Sequence, residues 1–211
     1  MRARGSGGNA AANGRWAGSA KLALICLALT PVTIVIHELG HFTVALLSGL
    51  PAELHATSVS GGASPGSGAP ASLVAMQAGA GPMLTILMSL AGALLYRRGR
   101  SLWALAFAFA AASRLIVPTA YLAIRLLFIV LGRPFGGRPV FDEYLLARAL
   151  GILPELAALA ATLFLATFLG WLLRRPEPGR RLLYLLALTA AAFAGNLLWP
   201  ALAPGTLAST G

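Results

Sequence analysis

The sequence predicts an all-α polytopic membrane protein with about five transmembrane helices and a short membrane-associated strand or hairpin after the first. Three observations carry that prediction. Charged residues make up 10% of the chain, against roughly 25% in an average soluble domain, too few to cover a globule with solvated side chains. The mean hydropathy is +0.79 and the hydrophobic share 58%, which excludes intrinsic disorder as the general state. The net charge of +10 would point to nucleic acid in a soluble protein. Here the basic residues sit in short clusters between long apolar runs, without interleaved aromatics, which is the pattern of charge flanking a bilayer. The expected surroundings are lipid, and no nucleic-acid partner is expected. Cys26 is the single cysteine and lies in an apolar run, so a disulfide framework and a cysteine metal cluster are excluded.

Residues 1–20 are mostly Gly, Ala, Asn and Arg and read as a disordered basic lead-in. From Lys21 an apolar segment runs to about residue 50, long enough to cross a hydrocarbon core of roughly 30 Å. A basic start before an apolar core is like a signal peptide. The apolar stretch outruns the usual core of roughly 7–15 residues, however, and carries polar groups within it, so cleavage is not expected. Residues 51–70 are small and polar; the Thr, Ser and Val of 53–60 suit a short strand that Gly61 and Gly62 break. A second span from Ala71 to about Tyr96 ends at the basic cluster 97–100. Residues 101–131 form a third, long apolar stretch containing Arg114, Pro118 and Arg125. It fits one tilted, kinked helix or two short ones, and in the second case the count becomes six. After the loop GRPFGGRP, a fourth span carries Asp142 and Glu143 at its entry and runs to about residue 173, and a fifth occupies roughly 182–202. Residues 21–203 thus form one transmembrane domain, followed by a flexible tail at 204–211. Basic residues of the lead-in, of 97–100 and of 174–181 fall on one side under five spans, which puts the N-terminus in the cytoplasm. The expected location is a bacterial plasma membrane.

Within the first span the sequence reads Ile36, His37, Glu38, Leu39, Gly40, His41, using two of the chain's three histidines and one of its six acids. Ionisable groups at membrane depth cost a few kcal/mol each, about 3 on insertion scales, and a cluster of them calls for a partner. A metal ion is the natural one. On a helix, residues i and i+4 share a face about 6 Å apart along the axis, so both imidazoles can reach one zinc at about 2.0–2.1 Å. Glu38 points about 100° away from His37; it is placed to face a zinc-bound water as general base. The implied reaction is metal-assisted hydrolysis of an amide. Two packing histidines paired with a glutamate are the structural alternative.

A catalytic zinc needs a third protein ligand and an open position. Asp142, Glu143 and the loop pair Glu53 and His55 are the candidates, with Asp142 also suited to a helix N-cap. Glu177 sits in a Pro/Gly/Arg turn, and Glu155 follows Pro154, where it suits the dipole of a restarting helix. Arg114, Pro118, Tyr121 and Arg125 recur along one helical face. They read either as a wall of the water path and a clamp on developing negative charge, or as structural pairing and snorkelling. Gln77 and Asn196 read as interhelical hydrogen bonds, and Gly79, Gly81, Ser89 and Gly92 as close helix contacts.

The HELGH pentad inside an apolar span resembles the site-2 protease family of intramembrane zinc metalloproteases. Three further pieces are similar to that family in order: Gly49, Leu50 and Pro51 with a strand ending at Gly61 and Gly62; then Gly81 and Pro82 with Thr85 where the family has Asn; then Asp142, matched to the aspartate of an Asp-Gly pair, with Glu143 in place of the glycine. The resemblance covers roughly residues 30–150. It implies one Zn2+ per chain on His37, His41 and Asp142, with Glu38 as the base. It also implies a substrate that is a transmembrane segment of another membrane protein, unwound and laid as an added strand beside residues 53–60. Ser58, Ser60, Thr85 and Arg114 are the substrate-binding candidates. The family places its zinc nearer the cytoplasm with the motif helix entering from outside, opposite to the charge rule. Two other readings compete: a non-catalytic metal-binding relative acting as chaperone or regulator, and a small metal transporter. The scarcity of His, Asp and Cys along the other spans argues against the transporter.

Overall fold

The computed structural model describes residues 7–136, 139–203 and 205–210. Helix α1 (Gly7–Leu47) is followed by strands β1 (Ala52–His55) and β2 (Val59–Gly61), then by α2 (Ala71–Gly99), α3 (Leu102–Ala112), α4 (Ile116–Val130), α5 (Asp142–Ala149), α6 (Pro154–Leu172), α7 (Pro178–Leu202) and β3 (Thr206–Ser209). Among the described residues, five helical stretches are long and apolar enough to cross a membrane: Trp16–Leu47, Ala71–Gly99, Leu102–Val130, Pro154–Leu172 and Pro178–Leu202. Leucines, valines and isoleucines lie exposed along their outer faces, as lipid-facing positions require. The chain is thus read as an integral membrane protein.

Helix α1 begins at Gly7, inside the stretch expected to be disordered. Alanine is the best helix former, and extending an existing helix costs far less than nucleating one. At its other end Gly49 takes a positive φ of 66°, and the Leu50 N–H turns back to the Ala45 carbonyl at 3.0 Å, a glycine-based stop. The long third stretch is one span, bent where a 3-10 turn at Ser113–Leu115 joins α3 to α4. Pro118 cannot donate to the Arg114 carbonyl and crowds it, which favours such a bend. The fourth stretch divides instead. Gly151 adopts φ 70° and Pro154 opens α6, so Asp142 stands on the separate eight-residue helix α5 and not at the head of a spanning helix.

The sheet has the order β2-β1-β3, antiparallel throughout. Along β1 every second residue turns inward, so Ala52 and Leu54 pack on Phe42 and Ala45 of α1. Strand β3 lies within the segment expected as a flexible tail, with Glu53 opposite Ser209. The Thr210 hydroxyl accepts from the Ala52 N–H at 2.8 Å and donates to the Leu50 carbonyl at 3.1 Å. From α7, the Trp199 indole N–H donates to the Ala56 carbonyl at 2.8 Å.

The larger core, including Leu22, Tyr96, Leu105, Phe109, Phe168 and Leu188, fills the opposite half of the bundle. There the Arg97 guanidinium lies 5.2 Å over the Trp171 ring, and Tyr96, Leu172 and Tyr184 share one cluster. The ends of α2 and α6 and the start of α7 therefore meet. The basic clusters 97–100 and 174–181 gather at that end, while the HELGH motif sits in the last third of α1 toward the sheet.

Candidate metal centre

Helices α1 and α2 come close at the motif because Gly40 faces the backbone of α2 and Gly81 faces the histidine rings of α1. A Cβ on Gly40 would lie 2.8 Å from the Ala80 carbonyl oxygen. A Cβ on Gly81 would strike His41 Nε2 and sit 2.6 Å from His37 Nε2. Small residues of this kind let helices approach within lipid. The approach brings both imidazoles against partners on α2. His41 Nδ1 lies 2.6 Å from the Gln77 carbonyl, and a carbonyl only accepts, so Nδ1 carries the proton and Nε2 keeps its lone pair. His37 Nδ1 lies 2.8 Å from the Thr85 hydroxyl, and with that oxygen accepting from Nδ1–H the Nε2 lone pair is likewise free. Fixing one ring nitrogen so that the other can ligate is how proteins orient metal-binding histidines.

The freed nitrogens converge. His37 Nε2 and His41 Nε2 are 3.2 Å apart, and Asp142 Oδ2 is 2.8 Å from the first and 3.3 Å from the second. Ligands about 2.0–2.1 Å from a tetrahedral ion stand about 3.3 Å from one another; the separations of 3.2 and 3.3 Å match this, and the His37–Asp142 distance of 2.8 Å is shorter. His37, His41 and Asp142 are therefore a group that could hold a metal ion. Without a cation, two lone pairs would face each other at van der Waals distance, and nitrogen with carboxylate oxygen is a donor set that suits a divalent transition metal. Burial opposes charge on Asp142, yet the two imidazoles set against its Oδ2 hold its carboxyl well below the ordinary carboxylate range. It is anionic, as a ligand must be. Beside it, burial and the Asp142 charge push Glu143 up to about 7. Glu143 borders the same cavity without joining the triad.

Glu38 is buried on α1, and its Oε1 accepts from Arg114 Nη2 at 3.0 Å. The triad, Glu38 and Arg114 all line one cavity of about 430 Å3, and Ser58, Val59 and Gly61 border it from the β2 side. In the sheet order β2 has β1 on one side and, among the described residues, no strand on the other. A metal-ligand set, a buried carboxylate, a guanidinium and an open strand edge thus share one space.

The sequence-predicted residues divide between this space and other roles. Thr85 is fully buried and spends its hydroxyl on His37, so it orients a ligand and does not face the cavity. Ser58 lines the cavity. Ser60 does not, and its hydroxyl meets His55 Nε2 at 3.1 Å. His55 and Glu53 lie 3.7 Å apart on β1 and stay outside the metal-ligand group, which leaves Asp142 as the third member. Asp142 does not act as the N-cap of α5; that position is Phe141. The arginine face of the third span also splits. Arg114 serves the cavity, whereas Arg125 Nε and the Tyr121 hydroxyl both reach Glu155 Oε1, at 3.0 and 3.2 Å, joining α4 to α6. Asn196 bridges α7 to Ser113 at 3.3 Å, an interhelical hydrogen bond.

Two contributors were not legible as such. Gln77 accepts the Ala63 N–H at 2.6 Å through its side chain and His41 through its backbone, so it ties the hairpin and a metal ligand to one turn of α2. Gly81 backs both imidazoles. A Cβ on Gly79 would instead meet only Leu146 at 3.5 Å, and helical spacing alone does not separate the two. Comparison with family models, curated proteins and solved structures finds no match to this chain.

Proposed function

We propose that the protein is an intramembrane zinc metalloendopeptidase of a bacterial plasma membrane, cutting peptide bonds in or near transmembrane segments of other membrane proteins. The observation that carries the reading is the shared cavity. His37, His41 and Asp142 converge within it, Glu38 opens onto it, and Val59 and Gly61 of β2, a strand with one neighbour among the described residues, border it. A zinc ion held by the triad would supply Lewis-acid polarisation of the scissile carbonyl and an acidified water.

The chain's own residues do the remainder. The backbone of β2 offers N–H and C=O groups to an extended substrate segment, because a helix must be opened before its peptide bonds can be reached. Ser58 stands beside that path. Glu38 takes a proton from the attacking water and returns it to the leaving amine. Thr85 and the Gln77 carbonyl hold the imidazoles in the tautomer that ligation needs. The HELGH resemblance to the site-2 proteases points the same way.

The experiment uses the purified protein in liposomes with a synthetic Leu/Ala transmembrane peptide, broken at its centre by Gly-Pro and carrying a fluorophore–quencher pair. The expected result is cleavage that a chelator abolishes and added zinc restores, with Asp142→Ala losing both metal and cleavage. Absence of cleavage from wild-type protein that holds stoichiometric zinc would overturn the reading.

A further inference from the structure

Among the described residues lining the metal cavity, Arg114 is the one side chain with a fixed positive charge. It comes from the third span, 76 residues beyond Glu38, and crosses to it between helices. A surface snorkel is therefore not its role. Among the described residues only its Nη2 is engaged, at 3.0 Å from Glu38 Oε1. A guanidinium presents five N–H donors in a rigid fork, so one arm on Glu38 leaves the others to face the cavity, where 24% of the side chain is exposed. Thr85 is sealed against His37, and the Ser58 hydroxyl that also borders the cavity carries no charge. Hydrolysis of an amide moves the carbonyl π electrons onto oxygen as the water oxygen bonds to carbon, and that oxygen needs a donor.

We propose that Arg114 is a catalytic residue with two simultaneous tasks: one arm positions Glu38, and the free arm binds the carbonyl oxygen of the scissile peptide as it becomes negative. This deepens the proteolytic reading and rests on it. The balance is complete with water alone. A lone pair of the water oxygen forms the new C–O bond while an O–H bond breaks, its electrons staying on oxygen and its proton passing to Glu38. Collapse of the tetrahedral carbon then breaks the C–N bond, and the same proton leaves on the amine. Arg114 keeps its protons throughout and supplies charge and direction. Preorganised donors of this kind act in a site from which bulk water is excluded, and loss of one costs about 100-fold to 1,000-fold in kcat.

The test compares wild type with Arg114→Lys, Arg114→Gln and Arg114→Ala, each first checked for stoichiometric zinc and helical content. With the quenched Leu/Ala peptide, Arg114→Gln is expected to lower kcat about 100-fold with KM nearly unchanged. Guanidinium ion added to Arg114→Ala is expected to restore part of the rate, and Arg114→Lys to fall between. A second measurement needs no turnover. The same peptide with a phosphinate in place of the central peptide unit mimics the anionic tetrahedral carbon, and its binding is compared with that of the uncut peptide to proteins carrying Glu38→Gln. Loss of the guanidinium is expected to weaken the phosphinate about 100-fold and the uncut peptide little. Equal weakening of both, or unchanged kcat in a zinc-loaded Arg114→Gln protein, overturns the assignment. If wild type cleaves nothing, the proteolytic reading fails, while the Arg114-dependent preference for the phosphinate still decides the fate of the arginine's role.

Discussion

Gly81→Ala is expected to take the metal content of the purified protein from stoichiometric to near zero while the helices persist. The methyl group would project to where the two histidine Nε2 atoms converge, striking His41 Nε2 and lying 2.6 Å from His37 Nε2. Relief requires the imidazoles to rotate, and rotation breaks the bonds that fix them to the Gln77 carbonyl and Thr85. Helix α2 itself does not object to the change, since alanine is favoured over glycine in a helix by about 1 kcal/mol. The variant therefore separates metal loss from unfolding. Elemental analysis alongside circular dichroism in detergent checks it, and a stoichiometric metal in a helical Gly81→Ala protein would refute the placement of these rings.

Glu38→Gln has the opposite signature: metal retained and cleavage nearly gone. Glutamine keeps the shape of the side chain and an oxygen to accept from Arg114, so the 3.0 Å contact can survive. It cannot accept a proton from water. General-base catalysis contributes about 10²–10⁴-fold, and a fall in kcat of roughly 10³-fold is expected at unchanged zinc stoichiometry. A Glu38→Gln protein that cut the Leu/Ala peptide at the wild-type rate would remove Glu38 from the base's role.

How far the sequence carries toward this site depends on whether the signal is local. The His37, Glu38 and His41 spacing lies within one helical turn, and the turn is enough to specify it. Five apolar stretches long enough to span are also local properties, and the structure has five such stretches. Asp142 was reachable because so few acids compete for the role, although its support is a short helix set off by Gly151 and Pro154, which hydropathy reads as one continuous run. What stayed hidden is pairwise and distant. Nothing near Arg114 announces Glu38, and nothing near Thr206 announces β1, because each pairing is made by chain folded back over many residues. Gly81 and Gln77 looked like generic packing residues for the same reason. Their significance lies in the ring nitrogens and backbone of α1 and the hairpin.

The stacking of Arg97 on Trp171 gives the molecule a polarity. It gathers two basic clusters at one pole and leaves the metal cavity and sheet toward the other. Were the basic pole in the cytoplasm, as the distribution of charge predicts, the cavity would lie in the outer leaflet's half of the bilayer. A cut made there would let the shorter fragment leave outward, so the event would be shedding and not release into the cell. Oriented vesicles carrying a labelled peptide would show it, by the side on which the fragment appears; inward release would reverse the polarity.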